Sequence, residues 1–461
     1  MATTFITADV IDSGDLFSSD ADGSDFVVAR TALVGSTDGV AFRLTGDGHD
    51  LTILGTVHGV CGAALGDGPG GLGNRVAIAA SGQVGGTFGI KMSGPGRIAN
   101  NGEIVAETHG LLLTVGEAGG VGDVQVIGNR GVISGGSHGI HVVASGTGVV
   151  QTVNRGSIEG VWSYFSSLDG DGVDRLTNRG EMNGHVVLGG GHDALVNGGS
   201  IQGDVSLGTG NDGFGNRRGE VVGDVDLGAG ADRFDARGGE VTGAIRGGDG
   251  DDTFLPGMGE ETIAGGAGTD TLDFRASAGL RVSLSDDAGT REAAGDAYTG
   301  IERVLGSRGG ADVIAGSWMG EGLAGLGGAD SLSGEGGNDF LNGGLGADTL
   351  DGGAGNDVFL FASAAEGGDL VADFGAAPGN DDLFRLSAAG FGAGLAAGAL
   401  APSRFVSRAD NLAQDADDRF VFRITDQTLW FDGNGSAAGA LTLLADLQEG
   451  ATVAAGDIVM V

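Results

Sequence analysis

The sequence predicts an all-β chain wound as a parallel β-solenoid. Three observations predict it. Between Gly325 and Leu360 the chain repeats every nine residues with an aspartate in one fixed place. In the first half a longer period of 19 or 20 residues carries valine, isoleucine and leucine in alternation, which is the strand period. Ninety-nine glycines against five prolines, without a strict triplet, exclude collagen, and 40% hydrophobic residues supply a core. At 461 residues the chain is long enough for two or three ordinary domains, a count that solenoids do not obey.

Residues 1–50 read as an N-terminal cap segment, and 51–264 as parallel β-helix. The clearest coils are EMNGHVVLGGGHDALVN, SIQGDVSLGTGNDGFGN and EVVGDVDLGAGADRF. They align Met182, Ile201, Val221 and Val241, then Val186, Val205, Val225 and Ile245, then Leu188, Leu207 and Leu227. Looser coils upstream carry Ile104, Ile133 and Ile158. Strand stacked on strand at about 4.8 Å buries such columns continuously. Asn101, Asn129, Asn154, Asn178, Asn197 and Asn216 open the turns. They read either as a stacked amide ladder or as exposed turn residues that tolerate left-handed backbone. Asp193, Asp212 and Asp232, with Asp171 and Asp174 upstream, recur at coil spacing. They read either as cation ligands or as plain acidic turns.

The nine-residue units are GLGGADSLS, GEGGNDFLN, GGLGADTLD and GGAGNDVFL. Asp330, Asp339, Asp348 and Asp357 stand nine apart, with Leu332, Leu341, Leu350 and Phe359 two residues behind each. The candidate turn glycines are Gly325, Gly327, Gly328, Gly334, Gly336, Gly337, Gly343, Gly344, Gly346, Gly352, Gly353 and Gly355. Glycine allows positive φ and lets backbone carbonyls approach an ion closely. Carbonyl and carboxylate oxygens together are calcium chemistry. The register extends back to Glu321 and Asp312, and GGDGDDTF and GGAGTDTLD are single matches upstream.

These residues resemble the RTX (repeats-in-toxin) family, whose nonapeptides form a calcium-binding parallel β-roll. The resemblance implies that residues 265–361 are the roll, with a spacer at 274–306. It implies that two units make one coil, so that Asp312, Asp330 and Asp348 share one edge and Asp339 and Asp357 the other. Ca2+ would sit between stacked turns, held by aspartates and turn carbonyls. Leu326 and Glu335 replace the second glycine of their units, and Glu321 stands where an aspartate is expected, beside Trp318 and Met319, marking a weak or absent site. Residues 362–461 resemble the C-terminal part of serralysin-type proteases, implying a β-rich cap and a type I secretion signal read by an ABC transporter.

A net charge of −38 disfavours nucleic acid and anionic membrane as partners, and bound cations would relieve its self-repulsion. Lys91 is the only lysine. Cys61 is alone, so no intramolecular disulfide forms, and it reads as a small buried hydrophobe. The N-terminus lacks the basic start of a signal peptide, and no apolar run reaches the length of a membrane span. Secretion to the medium or cell surface therefore rests on the C-terminal region. No HExxH, P-loop or DPH motif is present. His138 and His141, three apart in SHGIHV, are expected on opposite sides of a strand and not as ligands. The reading is a secreted, non-catalytic calcium-binding protein with a structural or adhesive role, its further partners being cell-surface glycans or its own copies. The alternative is a polysaccharide-acting enzyme using the β-helix groove, with Trp162, Tyr164 and Phe165 as a sugar platform.

Overall fold

The computed structural model describes residues 3–19, 23–46, 48–66, 73–115, 124–144, 147–167, 172–286, 289–375, 380–435 and 439–461. It divides into two units, Met1–Asp252 and Thr253–Val461. In both, strands from successive coils pair in parallel.

In the first unit each coil lays a short strand in one sheet and a second, commonly longer strand in another. One column runs Val27, Thr52, Ala77, each 25 residues after the last, while Leu176, Leu195 and Phe214 follow at 19. The coils therefore tighten towards the C-terminal end of the unit. Met182, Ile201, Val221 and Val241 pair in register, as do Val186, Val205, Val225 and Ile245, and all eight are buried. Pairing begins with Thr3 opposite Asp25, and the strands Thr3–Ile6, Asp25–Val28 and Asp50–Ile53 stack in parallel. Cys61 is buried within Thr56–Leu65, and burial raises its thiol to about 11.

Of the two readings of the turn asparagines, the structure takes the ladder. Nδ2 of Asn100 donates to Oδ1 of Asn129 at 2.8 Å, and the chain of amides continues through Asn154, Asn178 and Asn197 to Asn216. Each Nδ2 also donates to a backbone carbonyl one coil further on, such as Asn154 to Glu181. The first rung is Asn100 and not Asn101: Asn100 ends its strand facing inward, whereas Asn101 is exposed. The ladder stops at Asn216, because Ala236 stands one residue beyond the Gly215–Asp235 pair, where the next amide would fall.

In the second unit the coil is 18 residues long. Leu323, Leu341 and Phe359 form one buried column, and Ile314, Leu332 and Leu350 another. Residues 274–306, read as a spacer, contribute the strands Arg281–Ser283, Ala297–Thr299 and Arg303–Leu305. The first column continues through Phe384 to Ile458, and Gly398–Ala399 pairs antiparallel on the far side of the strand Ile458–Met460. The other sheet ends in Leu441–Leu447, followed by antiparallel Thr428–Asp432 and Phe420–Arg423. Phe391 packs edge-on against Phe431 over this cap. Among the described residues no helix is long and apolar enough to cross a membrane.

Candidate metal centre

Each nine-residue unit builds the same turn. The aspartate is buried, and its Oδ1 accepts from the backbone N–H of the acidic residue one coil earlier. Asp312 donates to Asp330, Asp330 to Asp348 and Asp348 to Asp369 at 2.8–3.0 Å. On the other edge Glu321 donates to Asp339, Asp339 to Asp357 and Asp357 to Asp382 at 2.7–2.9 Å. The second oxygen, Oδ2, of Asp330, Asp339, Asp348, Asp357 and Asp369 is buried and accepts no hydrogen bond. An ionised oxygen cannot stay there without compensation.

The first glycine of each unit makes room for that oxygen. A Cβ built on Gly325, Gly334, Gly343 or Gly352 would lie 2.2–2.4 Å from the Oδ2 of the aspartate five residues on. Space, and not positive φ, requires glycine at this position. The second position does need a left-handed backbone, with φ of 92° at Gly344 and 89° at Gly353. Leu326 and Glu335 adopt it too, at 73° and 69°, so the turn keeps its shape without glycine. Their carbonyls accept from Leu345 and Ala354 of the next coil at 3.0 Å. Gly327 and Gly336 bridge Leu345 and Ala354, and Gly328, Gly337, Gly346 and Gly355 complete the turns with positive φ.

Two members of the columns differ. Oδ2 of Asp312 accepts from the Ser307 amide at 2.6 Å, so both its oxygens are engaged. Ser317 engages both oxygens of Glu321 through its amide and its hydroxyl. Asp369 and Asp382 escaped the sequence reading because insertions break the nine-residue step. The local signals were GGDL and NDDLF, each an acid just ahead of an apolar pair. Burial pushes Asp330 up to about 6 and Asp369 to about 7, and neighbouring carboxylates in the column add to both rises. Burial also raises Asp339, Asp348 and Asp357.

The first unit carries the same device on longer coils. The amide of Asp174 donates to Asp193 Oδ1, Asp193 to Asp212 and Asp212 to Asp232, each at 2.7 Å, and Asp232 to Asp252 at 2.8 Å. Oδ2 of Asp193, Asp212 and Asp232 is buried without a hydrogen bond. Burial raises Asp193 to about 8 and Asp232 to about 6. Asp174 differs, because the hydroxyl of buried Tyr164 donates to its Oδ1 at 2.6 Å. Asp171 lies outside the described residues.

The family model of the RTX calcium-binding nonapeptide repeat matches residues 244–272 and 324–359. The chain carries RTX repeats at these positions. RTX nonapeptide repeats bind calcium ions, and the donor set in these repeats suits that ion. Its unsatisfied atoms are hard carboxylate oxygens set among turn carbonyls, without a buried thiol or imidazole in the columns. The match at 244–272 covers Asp252 and Asp270 and stops short of the column from Asp174 to Asp232. No curated protein matches this chain.

One expectation is corrected. His138 and His141 lie on the same side of their strand, not on opposite sides. In the strand His138–Ala144, Gly139 and Ile140 are buried in succession, so the alternation slips by one. No side chain fits at Gly139: a Cβ there would stand 2.6 Å from Ile158 Cγ2. The proposed sugar platform is also divided, since Tyr164 is fully buried while Trp162 and Phe165 remain at the surface.

Proposed function

We propose that this protein is secreted, folds when it binds calcium outside the cell, and serves as a structural or adhesive component of a surface or matrix. The observation that carries the reading is the repeated buried carboxylate oxygen, one per turn, without a hydrogen bond. In water with little calcium these oxygens favour an open chain, because folding would strip water from charges stacked one coil apart. A divalent cation held by Asp330 with Asp348, and by Asp339 with Asp357, removes that cost. The turn carbonyls from Gly325 to Gly355 would complete its oxygen shell. Asp193, Asp212 and Asp232 form a third column of the same kind. Asp312 is a weaker ligand, since both its oxygens already accept hydrogen bonds.

An unfolded acidic chain inside a low-calcium cell suits threading through a type I transporter. The C-terminal region 362–461 would carry the export signal. In the folded chain Ile458 and Met460 are buried in the roll, so recognition would precede folding.

Far-UV circular dichroism of metal-stripped protein, titrated with calcium and separately with magnesium, tests the proposal. A coil-to-β transition at about 10⁻⁴–10⁻³ M calcium, without one in magnesium, is the expected result. A stripped protein already fully β at pH 7.5 and indifferent to calcium would refute it.

A further inference from the structure

Three of the seven histidines gather on the first unit, half-buried on the strands Glu103–Val115 and His138–Ala144. His109 pairs with His138 across adjacent coils, and His141 lies three residues further along the same strand. Their rings stack. Centroids of His109 and His138 are 4.6 Å apart at 9°, and those of His138 and His141 are 4.6 Å apart at 15°. Phe88 stacks on His109 and Trp162 on His138, so aromatic rings cover both ends. One ring nitrogen from each histidine lies within 4.8 Å of the other two.

The ring chemistry separates this cluster from an ordinary aromatic stack. Nδ1 of His109, His138 and His141 is buried in each case and makes no hydrogen bond. An unsatisfied buried polar atom costs about 1–3 kcal/mol. Phenylalanine, used at Phe88 and Phe165 in the same patch, would stack without that cost. Burial lowers all three imidazoles, His141 to about 4, and the Lys91 charge lowers His109 further. They are therefore neutral near pH 7, the form that ligates metal. The ring faces also cover one another, which leaves little open face for a sugar.

We propose that His109, His138 and His141 form a binding site for a late first-row divalent metal ion such as Zn2+ or Cu2+, distinct from the carboxylate columns. Imidazole suits these ions, whereas calcium takes oxygen. With metal–nitrogen bonds of about 2.1 Å, tetrahedral donors stand about 3.4 Å apart. Closing from 4.8 Å requires the rings to tilt about their Cβ–Cγ bonds while the coils stay in register. The tilt breaks the stack on Trp162, which makes that indole a reporter.

The test uses the full chain at pH 7.5 with excess calcium, so that the carboxylates are engaged. Calorimetric titration with ZnCl2 should give one ion per chain, and CuCl2 should quench the share of the emission that Trp162→Phe removes, Trp318 and Trp430 supplying the rest. The triple variant His109→Phe, His138→Phe, His141→Phe keeps a ring at each place and removes every nitrogen. It should bind zinc at least about 100-fold more weakly, the upper loss seen on removing even an outer-shell partner. Equal zinc binding by both proteins, or none by the parent, overturns the proposal. If the triple variant loses its β spectrum, His141→Gln alone decides: a weakening below about 10-fold overturns the site.

Discussion

The amide of Asp330 donates to Oδ1 of Asp348, eighteen residues and one coil further on, at 2.8 Å. The bond fixes the carboxylate by one oxygen and leaves the other buried without a partner. Each rung thus holds its neighbour in place and presents one charge inward. The same relation joins Asp193 to Asp212 at 2.7 Å on nineteen-residue coils. Coil length differs between the two units, but the hydrogen bond that aims the carboxylate does not.

Asp348→Asn should separate the two oxygens. The amide oxygen can still accept from Asp330, while the charge is removed. Calcium binding by that column should weaken at least about 10-fold, since fewer carboxylate charges lower affinity. The cation-free protein should gain stability at pH 7.5. Calorimetric titration and urea unfolding in chelator check both. An Asp348→Asn protein that loses stability in chelator would contradict the assignment.

Acid should replace calcium in part. Unfolded aspartates titrate near 4, whereas Asp330, Asp369, Asp193 and Asp232 are raised by burial to about 6, 7, 8 and 6. Between pH 4 and 8 the folded chain then binds more protons than the unfolded chain. Its cation-free stability is greatest at the acid end and falls as pH rises through that window. Circular dichroism in chelator should show more β structure at pH 4.5 than at pH 7.5, and saturating calcium should abolish the difference.

Leu326 and Glu335 hold left-handed backbone at φ of 73° and 69°. That conformation costs a residue with a Cβ about 1–2 kcal/mol, partly offset by the greater flexibility of unfolded glycine. Leu326→Gly and Glu335→Gly should each stabilise the calcium-bound protein by about 0.5–1 kcal/mol, read as a higher thermal midpoint. By contrast Gly343→Ala should destabilise it, because the new Cβ would stand 2.2 Å from Asp348 Oδ2.

Asn154 donates to Asn178 and to the Glu181 carbonyl, and it accepts from Asn129 and the Gly156 amide. Asn154→Ala leaves those partners buried and unsatisfied. A loss of about 2–4 kcal/mol is expected from two to three such groups, measured by chemical unfolding in saturating calcium. Asn101→Ala, outside the ladder, should change stability by less than about 0.5 kcal/mol.

The sequence by itself determined the solenoid, the coils of 18 to 20 residues, and the stacking of Asp330 on Asp348 and of Asp339 on Asp357. In a stacked parallel coil the period states which residues fall above one another, and apolar residues can be stacked in only one register. Tertiary structure decided what periodicity does not encode. It chose Asn100 over Asn101, because strand phase at the coil end selects the inward residue. It brought Asp369 and Asp382 into the columns across insertions, because hydrogen bonds to the preceding coil fix position irrespective of loop length. It also placed His138 and His141 on one face, since Gly139 and Ile140 are buried in succession and shift the alternation that a regular strand would obey.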